Sequence, residues 1–175
     1  MLITPYEPRN LIFIDTEFTS LNPVTGEILS LGIVKLSGEE LYLELACSAA
    51  PDAWVTKNII PMLKDKKVSV EEAKKQIQKF IGKIAPFAIA YVDNYDSLYF
   101  VKLFGAGKLP FKWLTIDFSS ILFANGISPM RALATESDAK KFYRSLGVDA
   151  SKYRQHHALD DAKLLRDVWL KVTKP

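Results

Sequence analysis

From residue 11 to residue 19 the chain reads LIFIDTEFT, an apolar and partly β-branched run that ends in two carboxylates placed two positions apart. A near-continuous apolar run is typical of a buried strand, whose side chains alternate between its two faces. Asp15 and Glu17 therefore point the same way at the end of a hydrophobic strand. Two such anions repel each other and resist desolvation, and their oxygens suit Mg²⁺ or Mn²⁺. The pattern indicates a divalent-metal site; the alternative is a strand that ends in a solvated polar turn.

A further acidic candidate lies near the C-terminus. The residues from about Ala158 to Val172 follow the periodicity of an amphipathic helix. At about 100° per residue, Asp161 falls within the apolar stripe, whereas Asp160 falls on the polar side. Carboxylates are almost never fully buried without a partner. Asp161 therefore needs a metal, an arginine or a backbone cap.

Two histidines precede this helix. His156 lies five residues before Asp161, and a histidine there can act as a general base because its unperturbed pKa lies near neutrality. The alternative for His156 is a surface histidine in a loop. We interpret His157 in that second way, without a catalytic role.

Three motifs together resemble those of the DEDD exonucleases: Asp-Thr-Glu near the N-terminus, a central Tyr-Asp, and a histidine followed by four residues and an aspartate. Within that superfamily they are similar to the histidine branch, which includes oligoribonuclease, ribonuclease T and the proofreading subunit of bacterial replicative DNA polymerase. The Asp-Thr-Glu-Phe motif, Trp-Val at 54–55 ahead of Ile-Ile-Pro at 59–61, and Tyr-Asp at 95–96 resemble the small stand-alone exoribonucleases of the RNase AS type.

The resemblance implies a role for five residues. Asp15 and Glu17 form the first motif, Asp96 is the central acid, His156 is the general base, and Asp161 is the last metal ligand. The four carboxylates would hold two divalent cations, Mg²⁺ or Mn²⁺, about 4 Å apart. The implied reaction is hydrolysis of single-stranded nucleic acid in the 3′→5′ direction, which releases nucleoside monophosphates.

The middle motif departs from the pattern of the superfamily. Many members carry His-Asn four or five residues before the central aspartate, where this chain has Tyr91 and Val92. Asp93 is therefore a rival for the role. Asp96 is preferred because it follows an aromatic residue and opens a predicted helix at 97–104. We expect Asp93 to end the preceding strand or to cap the turn.

Substrate contacts are expected from the residues beside the acid pair. Phe18 is a candidate to stack on the terminal base, since base–aromatic stacking contributes ~1–3 kcal/mol; core packing at the strand end is the alternative. Thr16 is expected to offer backbone contacts to the terminal nucleotide. The contact that separates RNA from DNA is made to a 2′-hydroxyl, which no sequence motif reveals, and the resemblance favours RNA.

Composition narrows the class of protein. A length of 175 residues predicts one domain over 1–175, with a sizeable core. The one cysteine, Cys47, excludes an internal disulfide and fits a reducing compartment. The sequence shows neither a signal-peptide core at its start nor ~20 consecutive apolar residues, so we expect a cytoplasmic protein without membrane contact. A net charge of +3 excludes a polycationic nucleic-acid binder.

The predicted elements define an α/β fold. A hairpin of strands, followed by strands that alternate with helices, indicates a mixed sheet of about five strands flanked by helices, as in the ribonuclease-H-like fold of the resembled superfamily. Ser69 and Glu72 form a capping box for a lysine-rich helix whose core stripe runs from Val70 to Ile84. The predicted strands are at 11–16, 27–36, 40–46, 87–92 and 113–116, and the predicted helices at 70–84, 97–104, 117–123, 135–146 and 158–172.

Other functions stay open beside the stand-alone exoribonuclease. A proofreading-type DNA exonuclease subunit has the same chemistry within a polymerase assembly. A non-catalytic nucleic-acid-binding module would keep only the fold, but the presence of all five implied residues argues against it. Phosphate-monoester hydrolysis is a weaker alternative. By resemblance we also expect a homodimer, with Trp113 or Tyr153 as candidate interface aromatics.

Overall fold

One mixed sheet, with the strand order β3-β2-β1-β4-β5, forms the centre of the molecule. The structure is a computed structural model that describes residues 11–132 and 135–173. The first three strands are antiparallel neighbours, whereas β4 is parallel to β1 and β5 is parallel to β4. The predicted mixed five-stranded α/β sheet is thus confirmed. The strands are β1 (Leu11–Phe18), β2 (Ile28–Lys35), β3 (Glu40–Glu44), β4 (Phe87–Ala90) and β5 (Ile116–Asp117).

Within the described residues six α-helices flank this sheet, and short 3-10 helices lie at Ile60–Met62, Pro129–Ala132 and Ala150–Lys152. None of the described helices has the length and apolar character needed to cross a bilayer. The N-terminal residues considered for a signal peptide lie outside the described part of the chain. The α-helices are α1 (Ala53–Asn58), α2 (Val70–Ile81), α3 (Asp93–Phe104), α4 (Phe118–Ala124), α5 (Glu136–Ser145) and α6 (Ala158–Val172).

Several predicted boundaries differ from the structure. The lysine-rich helix ends at Ile81, because Gly82 takes a φ of +80° that continues no right-handed helix. Ile84 therefore lies outside the predicted core stripe, with its side chain exposed. The prediction of a helix at 97–104 began four residues late, since α3 starts at Asp93. Sequence analysis missed the short helix α1 altogether.

Strand alternation divides the core into two layers. Ile12 and Ile14 of β1 pack on the side of the sheet covered by α2 and α3. Leu11 and Phe13 pack on the opposite side, against α4, α5 and α6. Odd-numbered residues of β1 therefore face α6. Continued to the end of the strand, the same alternation turns Asp15 and Glu17 toward that helix.

Candidate active site

Strand β1 and helix α6 bring three carboxylates together. One oxygen from each of Asp15, Glu17 and Asp161 lies within 4.8 Å of the other two. Asp15 and Glu17 share a face of β1 because they are two residues apart, and Asp161 lies in the first turn of α6, the helix that covers this face. The alternative of a solvated polar turn does not describe this arrangement. Three hard oxygen donors this close suit a divalent cation.

A glycine on the neighbouring strand allows this approach. Gly32 of β2 is paired with Asp15 of β1, and a Cβ at Gly32 would lie 2.4 Å from the carbonyl oxygen of Ala158 and from the Cα of Leu159. The first turn of α6 therefore rests directly on the backbone of β2. Sequence analysis missed this role of Gly32, although a glycine inside a strand pattern is a signal of close backbone approach.

Asp96 joins the site from helix α3. Its side chain is 8% exposed, and one of its oxygens accepts a hydrogen bond of 2.7 Å from the Thr16 hydroxyl. Beyond the effect of burial, its charge helps to raise the pKa of both Asp15 and Glu17. Asp96 does not belong to the group of three carboxylates within 4.8 Å of one another, so it borders that group.

The rival residue Asp93 has different contacts. It accepts hydrogen bonds from the Ser97 hydroxyl, at 2.5 Å, and from the Thr115 hydroxyl. These bonds tie the first turn of α3 to the segment before β5. The expectation that Asp93 ends the preceding strand is wrong, because β4 ends at Ala90 and Asp93 is the first residue of the helix.

Burial and nearby negative charges raise the pKa of all four carboxyls. Burial is the main cause of each rise in pKa: well above the ordinary range for Asp15, to about 8 for Glu17, and to about 7 for both Asp96 and Asp161. Backbone hydrogen bonds from His156 and His157 partly oppose the rise at Asp161. Full ionisation near neutral pH thus requires a compensating positive charge. The donor set fits a divalent metal on this ground.

His156 has an unusual backbone and a defined ring contact. Its φ of +59° makes it the only described non-glycine residue with a positive φ, and such backbone strain clusters at functional sites. The imidazole lies edge-on to the ring of Trp54 on α1, with centroids 5.1 Å apart and planes at 88°. Burial lowers the pKa of His156. The ring is therefore neutral near pH 7 and able to accept a proton.

His157 is a buried part of the scaffold, not a surface loop residue as expected. It caps α6 by accepting the Asp160 backbone N–H at 3.4 Å. Its ring stacks on Tyr42 with centroids 4.5 Å apart, and Nη2 of Arg154 lies 3.0 Å from its Nε2. These contacts join the start of α6 to strand β3.

The two predicted substrate residues already have protein partners. The ring of Phe18 stacks on Tyr99, with centroids 4.5 Å apart and planes at 9°, and also contacts Tyr95. Thr16 is buried and its hydroxyl is bound to Asp96. The contacts of Phe18 are those of core packing at the strand end. Base stacking by Phe18 therefore stays a prediction.

The fold and the site together define the class of protein. Carboxylates from the first strand of a mixed sheet converge with carboxylates from two helices, in the order along the chain that DEDD nucleases show. The profile of the RNase_T exonuclease family matches residues 12–168. The chain therefore belongs to this exonuclease family, and the resemblance to DEDD exonucleases is confirmed.

Relatives and a solved structure agree with this assignment. The chain is 24% identical, over 97% of its length, to a PolC-type DNA polymerase III of Thermotoga petrophila, and 25% identical, over 93%, to that of Thermotoga maritima. It spans only 12% of the length of each polymerase. A moderately thermophilic Exonuclease I from Methylocaldum szegediense superposes on 93% of this chain and 39% of its own, with a TM-score of 0.64 at 14% identity. The predicted ribonuclease-H-like fold is thereby confirmed.

Proposed function

We propose that the protein is a metal-dependent 3′→5′ exonuclease that acts on single-stranded nucleic acid, preferring RNA to DNA, and releases nucleoside monophosphates. The observation that carries this proposal is the convergence of Asp15, Glu17 and Asp161 within 4.8 Å in a member of an exonuclease family. The direction and the preference for RNA rest on the resemblance to the histidine branch.

The four carboxylates have a common role in this proposal. Asp15, Glu17, Asp96 and Asp161 would hold two divalent cations, Mg²⁺ or Mn²⁺. Such cations, when bound, lower the pKa of water and stabilise negative charge on the attacking and leaving oxygens. The raised pKa values of these carboxyls support this role, because an unpaired acidic cluster would otherwise take up protons near neutral pH.

His156 is the proposed general base. Its imidazole, kept neutral by burial, takes a proton from water as the water oxygen bonds to the phosphorus of the last phosphodiester. The bond from phosphorus to the 3′ oxygen of the preceding nucleotide breaks, and that oxygen leaves with a proton from solvent. The products are a nucleoside 5′-monophosphate and a chain one nucleotide shorter. Thr16 and Phe18 would contact the terminal nucleotide, with Tyr99 holding the Phe18 ring in place.

Digestion of matched single-stranded RNA and DNA, each 5′-labelled, tests this function with Mg²⁺ and with Mn²⁺. We expect a ladder that shortens one nucleotide at a time from the 3′ end, faster on RNA, and no ladder with Asp15→Asn. Internal cleavage, or equal activity of the variant, would contradict the proposal. Faster digestion of DNA would favour the proofreading alternative, and binding without turnover would favour the non-catalytic module.

The homodimer also stays a proposal. Trp113 is 84% exposed and available for such an interface, whereas the Tyr153 hydroxyl is bound to Asp167. Light scattering across the working concentration range should give twice the chain mass. A monomer mass throughout would refute the dimer.

A further inference from the structure

Glu44 is a buried carboxylate outside the group formed by Asp15, Glu17 and Asp161. Glu17 of β1, Ser30 of β2 and Glu44 of β3 are register partners, so their side chains lie on the face of the sheet that α6 covers. Glu44 is 2% exposed, and its Oε2 has no hydrogen-bond partner among the described residues. Burial of a carboxylate is unfavourable unless its oxygens are bound. All the hydrogen bonds of this side chain therefore depend on Oε1.

The first contact fixes Oε1 relative to the start of α6. Tyr42 lies two residues before Glu44 on β3, and its hydroxyl donates to Oε1 at 3.1 Å. The ring of Tyr42 stacks on His157, the N-cap of α6, with centroids 4.5 Å apart. The carboxylate thus lies beside the turn that carries His156 and leads to Asp161.

The other contacts of Oε1 hold the segment that follows helix α1. Oε1 accepts the backbone N–H of Lys64 at 2.8 Å and that of Asp65 at 3.0 Å. A short 3-10 helix connects these residues to α1. Helix α1 carries Trp54, whose ring contacts the imidazole of His156 with centroids 5.1 Å apart. Glu44 therefore joins the unit that contacts this imidazole to the sheet beneath α6.

We propose that Glu44 is a positioning residue for His156. This inference rests on the proposed exonuclease function, in which the imidazole must lie within reach of the attacking water. His156 has a φ of +59°, and such a backbone persists only where the surrounding structure holds it. The backbone of His156 is held through its peptide bond to His157, and its ring is held by Trp54. Glu44 sets the distance between these two supports.

Two replacements of Glu44 test this role in single-turnover digestion of 5′-labelled RNA at saturating Mg²⁺. Glu44→Leu removes the acceptor, so the rate constant at saturating enzyme should fall by about 10- to 100-fold, the cost of a misplaced catalytic group. The enzyme concentration that gives the half-maximal rate should not change, because the residues expected to contact the terminal nucleotide lie on β1. Glu44→Gln keeps an oxygen that accepts both amides and should retain the wild-type rate constant. A wild-type rate constant in folded Glu44→Leu, or equal losses in both variants, would overturn the role.

Asp117→Leu is the matched control for the loss of a carboxylate that binds two backbone amides. Asp117 accepts the N–H of Ser119 at 3.1 Å and that of Ser120 at 3.2 Å. It lies on β5, at the edge of the sheet opposite β3. Asp117→Leu should lower Tm and retain the wild-type rate constant. A loss of rate equal to that of Glu44→Leu would overturn the role, since any lost cap would then slow the reaction.

A second variant removes one of the bonds and leaves Glu44 intact, in case Glu44→Leu does not fold. Lys64 is exposed, and Leu63 before it has the extended backbone that a following proline requires, with φ −73° and ψ 116°. Lys64→Pro removes the N–H that donates to Oε1, so it should lower the rate constant. Lys64→Ala removes the same charge, keeps the N–H and should retain the rate constant. Equal rate constants in these two variants would overturn the role.

The indole N–H resonance of Trp54 in the metal-free protein separates this inference from the proposed function. The chain has three tryptophans, and Trp54→Phe identifies the signal of Trp54. Glu44→Leu should shift this signal because α1 is released, whereas Glu44→Gln and Asp117→Leu should not. If the wild type digests RNA and the signal is the same in Glu44→Leu, the positioning role falls and the exonuclease function stands. If the wild type digests neither RNA nor DNA, the exonuclease function falls and the role of Glu44 in it falls too.

Discussion

Replacement of Asp161 by asparagine should stabilise the metal-free protein at pH 8. Asp161 lies beside Asp15 and Glu17, and burial together with the charge of Asp160 raises its pKa from 3.8 to about 7. At pH 8 without metal, this carboxyl is ionised in the wild type although burial and neighbouring negative charges disfavour its charged form. Asparagine has nearly the same shape and no charge, so Asp161→Asn removes the repulsion and retains the packing.

The pKa shift sets the size and the sign of the effect. A rise from 3.8 to about 7, at ~1.36 kcal/mol per unit, gives an upper limit of about 4 kcal/mol. The other carboxyls still repel one another in the variant. An amide also accepts the backbone hydrogen bonds of His156 and His157 less strongly than a carboxylate does. We therefore expect the free energy of unfolding to rise by about 2 kcal/mol. Because the folded pKa is raised, the wild type keeps its full stability below about pH 4 and loses it as the pH rises through 7. The advantage of Asp161→Asn is thus absent at pH 4 and complete at pH 8.

Thermal unfolding at pH 4 and pH 8, with EDTA and with Mg²⁺, measures this effect. A gain of about 2 kcal/mol raises Tm by about 4–8 °C in a chain of this size. Mg²⁺ should reverse the order, since ligand binding stabilises only the protein that retains its ligands. Asp160→Asn is the matched control. Asp160 forms an ion pair with Arg154 at 2.7 Å that lowers the pKa of Asp160, so removal of this charge should not stabilise the protein. A Tm for Asp161→Asn at or below that of wild type at pH 8 in EDTA would refute the reasoning.

The remaining predictions concern five residues around the carboxylates. Asp96→Ala should abolish digestion, whereas Asp93→Ala should lower Tm, through the loss of its Ser97 and Thr115 bonds, and retain activity; the opposite ranking would make Asp93 the ligand. His156→Ala should lose ~10²–10⁴-fold in rate. The wild-type rate at saturating metal should decline only when the pH drops below the ordinary pKa of histidine, since burial lowers the pKa of His156. His157→Ala should instead lower the free energy of unfolding in urea by about 1 kcal/mol or more, because the cap of α6 is lost. Gly32→Ala should weaken Mg²⁺ binding, measured by calorimetry, because its Cβ would displace α6; unchanged affinity would contradict this.

Strand β1 and helix α6 were predictable because each obeys a simple period. The apolar run before Asp15 has the pattern of a buried strand, and its alternation places Asp15 and Glu17 on one face. The helix at Ala158–Val172 matches its predicted bounds, because its 3.6-residue stripe is continuous and a cap precedes it. Local periodicity alone was therefore sufficient to predict both elements.

Other features depend on contacts between distant parts of the chain, so local patterns could not reveal them. Helix α1 has six residues with a single buried side chain, Val55, which is too little for a periodic signal. The importance of Gly32 arises from the first turn of α6, which lies far later in the sequence. The early start of α3 at Asp93 is supported by a hydrogen bond from Thr115, 22 residues away. The cavity of about 270 Å³ beside Asp15 and Asp161 likewise forms where β1, α5 and α6 meet.

The same side-chain alternation of β1 that builds the core also aligns the candidate active site. Phe13 packs edge-on against Trp169 of α6, with centroids 6.0 Å apart, and Asp15 follows Phe13 by two residues on the same face. On α6, Trp169 and Asp161 are eight residues apart, just over two turns, and so share a helix face. The apolar contact that docks α6 on the sheet and the approach of the two carboxylates therefore belong to one interface. Hydrophobic packing in this interface supplies the free energy that holds like charges together before any cation binds.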